Sequence, residues 1–209
     1  MAGYEDCRCL AKVSVTGVGE VRAVPDVVLI ELGVVHRDES AAVALERVRE
    51  GSESLLDVLR QSDVDDRDVQ TLELSLYSAY EAGSPQPKYE AAQYFRVKIR
   101  AVAQVGAVVQ KALEELGNDG RFFGIAFDVE GRSALRVEAR DAAYRDALAK
   151  AGQYAQLNGR RLELTSLSEE AESAPVSYRT GAAADGGAIP TAPGELVEMV
   201  RVFTEFRLC

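Results

Sequence analysis

Val13-Ser14-Val15-Thr16-Gly17-Val18-Gly19-Glu20-Val21, followed closely by Val24-Pro25-Asp26, is the stretch on which the fold turns. Val13 and Val15 alternate with Ser14 and Thr16, the period-two signature of a strand with one buried face. Two glycines and a proline come next, and the chain then re-enters an apolar run at Val28, Ile30, Leu32 and Val34. The pattern reads as strand, turn, strand. On this reading the Gly17-to-Asp26 connection is a wide hairpin, and Pro25 sits at the first residue of a strand, where its missing N–H costs no ladder bond. Val27 to His36 is apolar at nearly every position, with Glu31 the main exception. It reads as a central strand covered on both faces.

Beyond this start, Ser40 is placed as the N-cap of a helix whose stripe runs through Ala41, Leu45, Val48, Ser52, Leu55, Leu56 and Leu59. Gly51 lies inside that stripe at a cost of about 1 kcal/mol relative to alanine. Leu72, Leu74 and Leu76 alternate as a third strand, and Phe95, Val97, Ile99 and Ala101 as a fourth. The Gly- and Pro-containing turn between them predicts an antiparallel hairpin. Arg96, Lys98 and Arg100 occupy its outer face, as solvated cations beside acidic neighbours.

Val105 to Leu116 predicts a short helix stopped at Gly117-Asn118. A fifth strand carries Phe123, Ile125, Phe127 and Val129, with Gly124 placed for a close approach by another element. A long helix capped by Ser133 presents Leu135, Ala139, Ala143, Ala147, Ala151 and Tyr154, and ends at Asn158-Gly159. Leu162, Leu164 and Leu167 mark a sixth strand, and Leu196 to Leu208 a seventh. The order β-β-α-β-β-α-β-α-β-β predicts an α+β fold with mainly antiparallel sheet and three helices. The organisation read from it is a tail over residues 1–11, then one domain over 12–209 that is divisible into two subdomains. A long loop spans 172–194, with Val176, Tyr178 and Ile189 as apolar anchors for a partner. Connections of that length are usually binding elements or linkers.

The totals narrow the function classes. A chain of 209 residues buries roughly 70% of its unfolded surface without help from metal or disulfide. A net charge of −10, from 34 acidic and 24 basic residues, disfavours nucleic acid and anionic lipid as partners. No run approaches the ~18 apolar residues of a membrane span. Residues 1–10 carry neither a basic segment nor an apolar core, so the sequence reads as cytoplasmic, or as periplasmic or exported if a leader was removed. Cys7 and Cys9 are too close for an easy mutual bridge, and with Cys209 they make an odd count, so reduced thiols are expected.

Several stretches together resemble the SIMPL-domain family, which includes exported bacterial proteins of the outer-membrane-antigen type and an animal signalling adaptor. Val15-Thr16-Gly17-Val18-Gly19-Glu20-Val21 with Pro25-Asp26 is similar to that family's "vtGeGevsaaPD" opening. Asp68-Val69-Gln70-Thr71 resembles its "dIqT", and Gly124-Ile125-Ala126-Phe127 its "gisF". Ala139-Arg140-Asp141-Ala142-Ala143 through Ala147, Ala149, Lys150 and Ala151 resembles its alanine-rich helix. The resemblance runs from about Lys12 to Leu208. It implies an α+β domain whose members are mostly exported in bacteria and self-associate, and it brings no catalytic residue with it.

The residues themselves offer little chemistry. His36 is the single histidine and ends a buried strand, where a structural role is expected. Cys7-Arg8-Cys9 lacks the second ligand pair that a zinc site needs. Gly17-x-Gly19 lacks the third glycine, the following helix and the lysine of a phosphate loop. Asp63, Asp65, Asp66 and Asp68 lack the glycine and distal glutamate of a calcium loop. No cofactor is expected. The predicted function is therefore non-enzymatic binding or assembly as a homo-oligomer, with room for a further protein partner. The alternatives are an adaptor using loop 172–194 or an enzyme with a carboxylate-based site.

Overall fold

The structure, a computed structural model, describes residues 11–79, 88–170, 176–178 and 191–209, with the backbone alone for 176–178. Its elements in chain order are β1 (Ala11–Ala23), β2 (Val27–Asp38), α1 (Ala41–Gln61), β3 (Val69–Ala79), β4 (Lys88–Ile99), α2 (Val105–Leu116), β5 (Gly120–Asp128), α3 (Arg132–Leu157), β6 (Leu162–Glu169), β7 (Val176–Tyr178) and β8 (Glu195–Leu208). This is the α+β fold that the hydrophobic periods predict, with one more strand than expected, β7, inside the long loop. The elements fall into two compact units. One is built from β1, α3, β6, β7 and β8, the other from β2 to β5 with α1 and α2.

In the first unit β8 is central. It pairs antiparallel with β1 along its whole length, from Ala11 opposite Leu208 to Ala23 opposite Leu196, and on its other side with β6 and β7. α3 lies on this sheet with Ala139, Ala143, Ala147, Ala151 and Ala155 buried. Alanine at every fourth position gives a smooth helix face, and the strand answers with glycine. A Cβ at Gly19 would come 2.5 Å from the Ala143 nitrogen and closer still to the Ala139 carbonyl oxygen. One at Gly17 would meet the Ala143 carbonyl and come 2.7 Å from the Ala147 methyl. Both distances are far inside the 3.5–4.0 Å at which carbon atoms pack. Asp146 and Lys150 clamp the contact, Asp146 accepting from the Val18 N–H at 2.9 Å and Lys150 donating to the Thr16 carbonyl at 2.9 Å.

The second unit is a sheet in the order β3-β4-β2-β5, every neighbour antiparallel. Val28, Ile30, Leu32 and Val34 of β2 pack with Phe95, Val97 and Ile99 of β4. α1 closes over them with Ala44, Val48, Leu55 and Leu59, and α2 with Val105, Val108, Val109 and Ala112. Gly51 lets α1 approach β2 closely, since a Cβ there would come 2.9 Å from a Val34 methyl. β2 is thus an inner strand, as its sequence suggests, but the helices cover only one of its faces, and Leu29 and Glu31 on the other line an open recess.

Several expectations need correction. The Gly17–Gly19 stretch is not a turn: β1 runs straight through it, and β1 pairs with β8 while β2 pairs with β4 and β5, so the opening hairpin does not form. The glycines are required by a helix from far along the chain, which local sequence cannot reveal. Gly131, not Ser133, occupies the N-cap of α3, and Ala155 replaces Tyr154 on its buried stripe. A Cβ on Gly124 would meet nothing within 4 Å, so no close approach occurs there. Cys209 is disulfide-bonded, against the reduced thiols expected. An odd cysteine count excludes a closed framework but not one bridge made by folding.

Candidate functional site

His36 at the end of β2 holds Asp119 through Nδ1 at 2.8 Å. The cation row of β4 is neutralised as expected: Arg96 donates to Glu31 at 2.6 Å, Lys98 pairs with Glu130 at 3.4 Å, and Arg100 pairs with Asp68 and Glu130. Asp65 and Asp66 are taken up by Arg67 and Arg60. Among the described residues no group of three His, Cys, Asp or Glu side chains could hold a metal ion.

The carboxylates with displaced pKa values all move downward. Hydrogen bonds from Arg49, Arg100, Lys150, Arg140 and Lys12 hold Glu46, Glu130, Asp146, Glu169 and Glu205, respectively, below the usual range. A general acid needs the opposite displacement. Burial pushes the Tyr94 hydroxyl up, on the face of the second sheet turned away from the helices.

The surface that stands out is apolar and lies on the two edges of the second unit's sheet. Strand register decides which way each residue points. Leu74 and Leu76 of β3 lie opposite Gln93 and Ala91, on the helix-covered face, yet α1 and α2 leave them 61% and 43% exposed. Glu73 lies opposite Tyr94, on the other face. At the far edge, Phe122 and Ile125 of β5 oppose Leu32 and Ile30 on the helix-covered face, and Arg121 opposes Gly33 on the other. Phe122 and Ile125 are also partly open, at 39% and 36%. Bulges displace Leu72 and Phe123 from the ladders, and the Phe123 ring stands edge-on to Tyr94 with centroids 5.0 Å apart.

Beside β5 lies an open recess of about 370 Å³ lined by Leu29, Glu31, Arg96, Phe123, Gly124, Ile125 and Ala126. Its single carboxylate, Glu31, is already paired with Arg96, so it offers no acid–base couple. The leucines of β3 were legible as a strand. Their exposure depends on β3 being an edge, which the sequence did not reveal.

Of the loop anchors expected to engage a partner, Val176 and Tyr178 fall in β7, where their backbone pairs with Val197 and Glu195 of β8. Ile189 lies outside the described residues. Val13 lies on edge strand β1, whereas Val202 lies on β8, which has strands on both sides. No helix among the described residues is long and apolar enough to cross a membrane.

Residues 13–206 match the SIMPL family, described as a protein of unknown function (DUF541). The 26 kDa periplasmic immunogenic protein of Brucella melitensis biotype 1 is 28% identical over 214 residues, which cover 95% of this chain and 85% of that relative. The protein of the same name from Brucella abortus strain S19 matches at the same identity and coverage.

Proposed function

This chain belongs to the SIMPL family, and we propose that it works as a non-enzymatic assembly or binding protein that associates with itself. The observation that carries this reading is the pair of apolar sheet edges in the second unit. Long edges that are neither charged nor covered are what natural proteins avoid unless something pairs with them. Light scattering over a wide concentration range tests the reading. A defined oligomer is expected, and a strict monomer throughout would overturn it.

The same proposal places the protein outside the cytoplasm. Two observations support that: the relatives' designation as periplasmic, and the disulfide on Cys209, a bond that persists in oxidising compartments and is rare in the cytosol.

A further inference from the structure

We propose that copies of this chain join head to tail, the β3 edge of one copy pairing antiparallel with the β5 edge of the next. This rests on the self-association proposed above and names its surface. Three properties of the two edges converge on it.

The first is polarity. β3 runs with β2, because both are antiparallel to β4, while β5 is antiparallel to β2. β5 of a second copy, added beside β3 as a continuation of the sheet, therefore arrives antiparallel. The alternation of strand directions continues without a break, and the free N–H and C=O groups of both edges find partners.

The second is facial match. In a continued sheet, residues on one face of the first copy meet residues on the same face of the next. On the helix-covered face Leu74 and Leu76 would meet Phe122 and Ile125, so exposed apolar side chains on both sides leave water together. The register that sets Leu74 beside Ile125 and Leu76 beside Phe122 places Ser75 beside Gly124, Tyr77 beside Arg121 and Glu73 beside Ala126 on the opposite face, so no like charges meet.

The third is the lack of guards. From Val69 to Ala79, β3 carries one charged residue and no proline or lysine, and β5 is uncharged from Phe122 to Phe127. Each copy would use both edges. Such a heterologous contact builds a ring if its rotation closes and a filament if it does not.

Two edge-blocked variants of the full chain test this. One carries Leu74→Lys with Leu76→Lys, the other Phe122→Lys with Ile125→Lys. All four positions are exposed enough to take a lysine, and circular-dichroism melting checks the fold. Each variant alone should be a monomer by light scattering, and an equimolar mixture should give a dimer holding one of each, through the two edges left intact. A variant that keeps the wild-type oligomer, a variant that dimerises with itself, or a mixture that stays monomeric would overturn the head-to-tail pairing while leaving self-association standing. A monomeric wild-type protein would overturn both.

Single substitutions supply a milder check should a doubly substituted variant fail to fold. Leu74→Lys and Ile125→Lys should each weaken association by about tenfold or more. Unchanged association in both would count against the proposal.

Discussion

Replacing Gly19 by alanine adds one methyl group, and the surroundings leave no room for it. The new Cβ would come 2.5 Å from the Ala143 nitrogen and closer to the Ala139 carbonyl oxygen. Both are backbone atoms of α3, so no side-chain rotation relieves the clash. The helix must retreat from β1 by about 1 Å to reach ordinary contact, and a gap of that size forfeits up to about half the dispersion energy of each contact it opens. Five alanines of α3 are buried at this interface, and none has a longer side chain to follow the sheet. Overpacking of this kind costs about 1–3 kcal/mol, and an immovable backbone obstacle puts this case near about 3 kcal/mol. For a chain of this size that corresponds to a melting temperature lower by roughly 6–12 °C.

Gly152→Ala is the control within the same helix. Nothing lies within 4 Å of a Cβ there, so helix propensity alone should stabilise by about 0.5–1 kcal/mol. Thermal and urea melts followed by circular dichroism read both effects. A Gly19→Ala variant within about 1 kcal/mol of the parent would refute the close-approach reasoning, since ordinary surface substitutions fall in that range.

Two further outcomes are expected. The first unit should lose stability on acidification, because cationic partners depress Asp146, Glu169 and Glu205 in the folded state. A depressed carboxylate contributes above its unfolded pKa and loses that contribution as pH falls through its folded value, so urea midpoints should drop progressively below pH ~4.5, and Asp146→Asn should flatten part of that drop. Midpoints that hold steady or rise in acid would contradict this. Alkylation of the native, unreduced protein should leave Cys209 unmodified in peptide mapping, and modification should follow reduction. A freely alkylated Cys209 would remove the bond and with it one support for an oxidising compartment.

Most elements were legible because their signals are local. Val27 to His36 announced a central strand, though not that helices would cover only one of its faces, and α3's alanine stripe announced a helix face from which only Tyr154 had to be exchanged for Ala155. Pairing partners were not legible. Gly17 and Gly19 look like turn residues in a short window, and their true demand comes from Ala139 and Ala143, which are remote in sequence. The candidate interface stayed hidden for the same reason: Leu74 and Leu76 alternate like any half-buried strand, and only the sheet order leaves them open.

The full-length ladder between β1 and β8 also orders events during biosynthesis. The second unit's described elements, from Val27 to Asp128, are continuous in the chain, so they can collapse as soon as they emerge. The first unit cannot, because its central strand follows all its other described elements in the chain. Until then β1 presents an unpaired strand to everything nearby, the exposure that long-range pairing imposes on a nascent chain. A product cut short before Glu195 would therefore hold a finished second unit beside an orphaned β1 and α3. Housekeeping proteases could recognise such a chain as incomplete without reading its sequence.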